Sequence, residues 1–315
     1  MHLEDCHKKF LSYLRLERDY SKLTIKSYRT DFRHFLDFLE KKGIDPELEN
    51  VTTPIIREFI LYMAEDLGFS PNSIRRRIHS LKSFFKFCQT QDYIEKNPAL
   101  AVQVPKKKRV LPIYITRDDM DKLLRAPLEM GSSRTRIRDW LILQTFAQTG
   151  IRRQELINLE WRDIDFRECT LKVRSGKGDK DRIIPIPPQL AADLQMFKNS
   201  QGKSVTDRTP VFRSATGKKL GPRPINTIFD KYVRLAGLED KGYTLHKIRH
   251  SFATFLLQQN VSLVEIQELL GHADISSTRV YLHTDARHLR EAVMKNPILN
   301  QGDTESAEPE LQRMV

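Results

Sequence analysis

One short stretch, Val104-Pro105-Lys106-Lys107-Lys108-Arg109-Val110-Leu111-Pro112, limits the architecture of this chain more than any other. Its two prolines fix φ and withhold backbone donors, so neither a helix nor a central strand can run through it. An extended linker over 104–112 follows, with a domain of about a hundred residues before it (1–103) and a larger one after it (113–300). Residues 301–315 carry four acidic side chains and one arginine and read as an acidic flexible tail. The four adjacent cations of the linker also have the form of a nuclear address, but a linker lying along phosphates accounts for both the charge and the prolines.

Charge is spread unevenly around that division. The formal net charge of +12 resolves into +6 over 1–112, +9 over 113–300 and −3 over 301–315. A basic body of this kind suits a polyanionic partner, although charge alone describes any basic soluble protein equally well. At 315 residues and 39% hydrophobic composition the chain can bury two cores, and no apolar run approaches a membrane span. The amino terminus lacks a secretory layout, which makes the cytoplasm the expected compartment. Cys6, Cys88 and Cys169 are far apart and odd in number, so reduced, mostly buried thiols are expected rather than a disulfide frame or a zinc site.

The first domain reads as helical. Ile25, Tyr28, Phe32, Phe35, Leu36 and Leu39 recur at helical spacing within Thr24 to Leu39, and Gly43 closes the run. Thr53-Pro54 opens a second helix with Ile56, Phe59, Ile60, Met63 and Leu67 on one face. Ser70-Pro71 opens a third, a cap followed by proline at the first helical position, with an apolar stripe of Ile74, Ile78, Leu81, Phe85 and Cys88. Arg75, Arg76, Arg77, His79, Lys82 and Lys86 fall largely off that stripe. This basic outer face is either an ordinary solvated surface or one that meets the phosphates of a DNA groove.

The second domain mixes helices with a small sheet. Helices are expected from Thr116, over Arg138 to Gln148, over Thr244 to Gln258 and over Ser262 to Leu270, with Ser262 and Glu265 as a capping box. Cys169 to Val173 and Arg182 to Ile186 form a hairpin around a Gly-Lys-Gly-Asp turn. The fold class is mainly α with a small antiparallel β-sheet. No Walker loop, zincin helix or carboxylate cluster with metal spacing is visible, so neither metal nor cofactor is expected.

Four local features carry chemistry. Thr149-Gly150-Ile151-Arg152-Arg153-Gln154-Glu155 places an arginine at a helix junction, and the phase of Thr-Gly-Ile-Arg favours Arg152 over Arg153. The hairpin tip presents Lys177 between two glycines. His246 and Arg249, three residues apart, share a helix face, and Gly271-His272 is followed nine residues later by Tyr281. Each alone has an ordinary structural explanation. Together, the order R…K…H-x-x-R…G-H…Y resembles the signature of the tyrosine recombinases, the phage integrase family, with the greatest similarity to the bacterial Xer-type members.

That resemblance covers nearly the whole chain. It implies a helical, SAM-like core-binding domain and an α+β catalytic domain that together clamp DNA. It implies a site-specific recombinase that cleaves and rejoins strands through a covalent 3′-phosphotyrosyl intermediate, without metal or ATP, as a tetramer on two DNA sites with inverted-repeat-like binding sequences. A second recombinase as partner is compatible with it. Carried over position by position, Tyr281 matches the nucleophile and Arg152 and Arg249 the two arginines on the scissile phosphate. Lys177 matches the hairpin lysine, His246 and His272 the remaining phosphate ligands, and Glu155 an acidic position that orients its neighbours. Arg75, Arg76, Arg77, Lys82 and the linker's Lys106, Lys107, Lys108 and Arg109 are the expected DNA backbone contacts. The segment from Asp285 to Val293 reads as helical; the resemblance has it dock on a neighbouring subunit, with a tail folded on its own subunit as the alternative. A strand-relaxing enzyme of type IB topoisomerase chemistry and a catalytically silent DNA-binding regulator are the competing functions. The separate helical domain argues against the first and the intact set of six residues against the second.

Overall fold

The computed structural model describes residues 1–104, 113–174, 181–202 and 205–271. The basic linker residues Lys106 to Arg109, the hairpin tip with Lys177, and His272, Tyr281 and the expected carboxy-terminal helix lie outside the described residues. The chain divides into two compact units, Met1–Val110 and Leu111–Val315.

The first unit holds helices α1 (Leu3–Leu16), α2 (Lys22–Lys41), α3 (Thr53–Glu65) and α4 (Pro71–Thr90). The starts of α1, α2 and α4 are set by side-chain hydrogen bonds that satisfy otherwise orphaned amides. Ser21 accepts from the Thr24 amide at 3.1 Å, and Ser70 from the Ser73 amide at 3.3 Å with Pro71 at the first helical position. The expected stripe of α4 is buried in full, whereas Leu67 falls beyond the end of α3. The residue pattern marks three helices, and α1 is the fourth; its Leu3, Cys6, Phe10 and Leu14 supply one wall of the core. That core is built from rings: Phe10, Phe32, Phe35, Phe38, Phe59, Phe84 and Phe85 are buried together, several in edge-to-face contact. Such pairs add to what burial itself contributes, about 1.5–3 kcal/mol for a large apolar side chain. His7 stacks on Phe32 at 3.8 Å between centroids. Burial, with a smaller effect from Arg29, pushes its pKa down to about 3, so it is neutral in the folded state.

The second unit runs α5 (Arg117–Met130), α6 (Arg136–Thr149), α7 (Arg153–Asn158), β1 (Ile164–Asp165), β2 (Thr170–Val173), β3 (Arg182–Pro185), α8 (Pro188–Ser200), α9 (Pro222–Leu235), α10 (Leu245–Gln258) and α11 (Leu263–Leu270). The strands form one antiparallel sheet in the order β1-β2-β3, with Val173 opposite Arg182 and Leu171 opposite Ile184. Cys169 has a positive φ of 48°, which is why β2 starts one residue later than the sequence pattern suggests. Leu171, Val173 and Ile184 face the core, as alternation requires. Helix α6 is the central element and packs against α5, α8 and α10. Accordingly Leu141, Ile142, Leu143 and Phe146 are all buried rather than confined to one stripe. The Ser251 hydroxyl of α10 accepts the Ile115 amide at 2.7 Å and so ties the beginning of this unit to its centre. Helix α11 packs on α10 and against β3, which brings the hairpin, the α6–α7 junction and the end of α11 to one place. Cys6 and Cys88 are buried and Cys169 half-buried, all three as free thiols.

Candidate active site

The site begins where α6 stops. Gly150 adopts φ +59°, a left-handed turn that costs glycine little and a side-chain-bearing residue more. A Cβ there would lie 2.5 Å from Phe252 Cδ1 and 2.9 Å from Leu270 Cδ2, so the position also has no room for one. The turn sets Arg152 at the entrance to α7. Glu155 then reaches back, its carboxylate accepting the Arg152 backbone amide at 2.8 Å and the Arg152 guanidinium at 2.8 Å. Arg153 turns elsewhere and donates to Asn226 Oδ1 at 2.9 Å.

Three arginines converge on the carboxy-terminal end of α11, each donating to a different carbonyl. Arg182 Nε donates to Leu269 at 2.9 Å, Arg249 Nη2 to Leu270 at 2.6 Å, and Arg152 Nη2 to Gly271 at 2.7 Å. The last carbonyls of a helix have no partner within it and sit at the negative end of its dipole, so they are natural acceptors for cations. Gly271 turns left-handed at φ +63°, and a Cβ on it would lie 2.9 Å from Arg182 Cδ. Arg249 is 3% exposed and also donates to the Gly150 carbonyl at 2.6 Å, which joins the two glycine turns through one guanidinium.

Glu155 is the shared anion of the cluster. Burial alone would raise its pKa. The Arg182 guanidinium, bonded to both its oxygens at 2.8 and 2.9 Å, together with the Arg152 amide and guanidinium, brings it down to about 2 instead. It therefore stays ionised throughout the neutral range. His246, one helical turn before Arg249 on α10, faces the same field. Desolvation by surrounding protein, followed by the Arg249, Lys247 and Arg152 charges, holds its pKa below the ordinary histidine value. A neutral imidazole beside two guanidinium groups is thus available at pH 7. Such an arrangement can bind and polarise an oxyanion: planar, permanently charged forks held in place before the ligand arrives.

Of the sequence-predicted site residues, Arg152, Glu155, His246 and Arg249 come together here, while Lys177, His272 and Tyr281 lie outside the described residues. In the first unit, Arg76 is half-exposed and forms a bidentate pair with buried Asp31 of α2 at 2.5 and 2.6 Å. Arg77 was expected on the solvated outer face of α4. Its side chain is instead 11% exposed, stacked over the Phe69 ring at 4.0 Å and 3.8 Å from Asp31, because that buried carboxylate draws it inward. Arg75 is half-buried, and Lys82 approaches the Leu100 carbonyl at 3.4 Å. Sequence reasoning missed Arg182. It occupies the same strand face as core residue Ile184, and an arginine at an inward position of a two-residue period is the signal that marks it. Among the described residues no group of His, Cys, Asp and Glu is placed to hold a metal ion, and no helix is long and apolar enough to cross a membrane.

Comparison with known proteins places the chain in a family. The phage integrase family profile matches residues 114–288, and the profile of its N-terminal SAM-like domain matches residues 8–92. Tyrosine recombinase XerC of Thermodesulfovibrio yellowstonii is 35% identical over 302 residues, spanning 93% of this chain and 96% of that protein. The crystal structure of the XerH site-specific recombinase bound to a palindromic difH substrate superposes with a TM-score of 0.73 at 24% identity, covering 93% of this chain and 83% of that one. A lambda integrase tetramer bound to a Holliday junction gives a TM-score of 0.68 at 20% identity, covering 87% and 78%. These two likenesses are of fold. The chain belongs to the phage integrase family, among the tyrosine site-specific recombinases.

Proposed function

We propose that this recombinase cuts and rejoins duplex DNA through a 3′-phosphotyrosyl intermediate on Tyr281, working as a tetramer that holds two DNA sites. The observation that carries the reading is the convergence of Arg152 and Arg249 on the carbonyls at the end of α11, with His246 in the field of both; His272 is the second residue after that helix. In this scheme Tyr281 Oη gives up its proton to solvent and attacks the scissile phosphorus, the bond to the 5′-oxygen breaks, and that oxygen leaves with a proton supplied by Lys177, which solvent restores. Arg152 and Arg249 stabilise the extra negative charge on the equatorial oxygens, with His246 and His272 as further ligands. Rejoining reverses the step: a 5′-hydroxyl attacks, tyrosine leaves, and the bond energy is retained without ATP or another cofactor. A tyrosine of ordinary pKa near 10 needs this positive surroundings to act at neutral pH.

Residues 1–103 are assigned to core binding, 104–112 to the linker, 113–300 to catalysis and 301–315 to the tail. Backbone contacts are assigned to Arg75, Arg76, Lys82 and the linker's Lys106, Lys107, Lys108 and Arg109; Arg77 acts by buttressing them. The lambda integrase tetramer supports assembly on DNA, and the XerH complex supports inverted-repeat sites. The cytoplasm is the assigned compartment. The test is incubation with a nicked suicide duplex carrying the target repeat. Wild type should form a covalent adduct and Tyr281→Phe none, while Lys177→Ala should fail on an ordinary 5′-oxygen yet cleave a 5′-thio substrate, whose leaving group needs no proton. Absence of an adduct with wild type would overturn the reading.

A further inference from the structure

We propose that Arg182 is a positioning residue for strand cleavage: by sharing Glu155 with Arg152 it keeps the Arg152 guanidinium from being consumed by that carboxylate, and by holding Leu269 it fixes the end of α11. The inference rests on the functional reading above, and concerns a residue that never meets the substrate. The Arg182 side chain is 9% exposed, Glu155 10% and Arg152 36%, so the three are graded from the interior outward. Only the outermost, Arg152, is substantially exposed.

The geometry explains why a second cation is needed behind the first. Glu155 is well placed to orient Arg152, because it binds both its backbone amide and its guanidinium. A carboxylate that did only this would also cancel most of the charge that Arg152 brings to a phosphate. Arg182 occupies both Glu155 oxygens with a planar fork, at 2.9 and 2.8 Å, so the trio retains a net positive charge while Arg152 keeps its orientation. Its third donor, Nε, spans to the Leu269 carbonyl. Arg182 thus ties β3, the start of α7 and the last turn of α11 together from a single side chain. Lysine cannot reproduce this, having one nitrogen where the site uses three.

The experiment uses full-length protein with Arg182→Met, Arg182→Lys, Glu155→Gln and the Arg182→Met/Glu155→Gln pair. Single-turnover cleavage of a suicide duplex is measured beside affinity for the same DNA, the latter in a Tyr281→Phe background so that no bond is cut. Arg182→Met should slow cleavage on the order of a hundredfold with DNA affinity changed less than threefold, and Arg182→Lys should restore little. The pair should recover at least tenfold over Arg182→Met alone, because removing the carboxylate releases Arg152. A merely structural residue would give a further loss in the pair, and a DNA contact would give an equal loss in affinity; either result overturns the proposal. If Arg182→Met does not fold, the comparison of Arg182→Lys with Arg182→Lys/Glu155→Gln decides it in the same way. No adduct from wild type overturns the recombinase reading and this proposal with it, whereas a wild-type adduct without rescue overturns the positioning role alone.

Discussion

In the helical unit one buried carboxylate, Asp31, draws in two arginines of the neighbouring helix, Arg76 as a bidentate pair and Arg77 at 3.8 Å. In the second unit Glu155 draws in Arg152 and Arg182, but each of those arginines also donates to a backbone carbonyl, and Arg249 donates to two. The two acceptor types do different work. One carboxylate shared by two arginines offsets part of their charge and joins α2 to α4, with the net positive charge left on half-exposed Arg76. A carbonyl fixes a cation by its dipole and leaves the charge in place, which suits a site that must meet a phosphate. Arg249 is the extreme case, oriented by Gly150 and Leu270 at the junction of two glycine turns.

The largest effect expected from breaking this contrast is at Arg249. Replacing it by Met should lower the single-turnover cleavage rate by about 10²–10³-fold, the range seen when one preorganised donor is lost. Suicide-substrate kinetics check this, and a rate within threefold of wild type would refute the assignment. Breaking the carboxylate side should act on stability instead. Asp31→Ala leaves Arg77 largely buried beside a lost partner and should cost about 3 kcal/mol in urea unfolding, while cleavage at saturating DNA stays within a few-fold of wild type. A selective loss of chemistry in that variant would show that Asp31 serves the reaction as well.

A smaller effect separates the two units by pH. His7 has its folded pKa near 3, below the unfolded value of about 6.5, so the stability it permits is complete above pH 6.5 and declines as the pH falls toward 3. His250, pushed by burial to about 4, makes a similar contribution in the second unit. Both tryptophans, Trp140 and Trp161, belong to that second unit, so their fluorescence reports on it alone. His7→Phe should lessen the acid destabilisation seen by far-ultraviolet circular dichroism and leave the tryptophan transition where it was. Movement of both together would contradict the division.

Much of this was legible in the sequence where local chemistry decides the outcome. Ser70-Pro71, Ser262 with Glu265, Gly150 and Gly271 mark helix ends through hydrogen bonds within a few residues, and the observed caps follow them. Helices α8 and α9 lack the Ser-Pro start of α4: Pro187 and Gly221 stand at their N-caps and no side chain caps their first turns, so no local signal marks where they begin. Within the site, Arg152 and Arg249 stand out by their order along the chain, whereas Arg182 owes its place to a carboxylate 27 residues away and a carbonyl 87 away. Arg77 shows the same limit from the other side: helical phase put it outward, and Asp31 on another helix drew it in.

In the proposed reaction the cations gathered at the end of α11 serve a phosphate attacked by Tyr281. The most direct test is to trap the covalent complex on a suicide duplex, digest it, and locate the nucleotide-bearing peptide by mass spectrometry. The account predicts a single modified residue, Tyr281, within the tryptic peptide that follows Arg279. Attachment to any of the other eight tyrosines, or to serine or histidine, would contradict it.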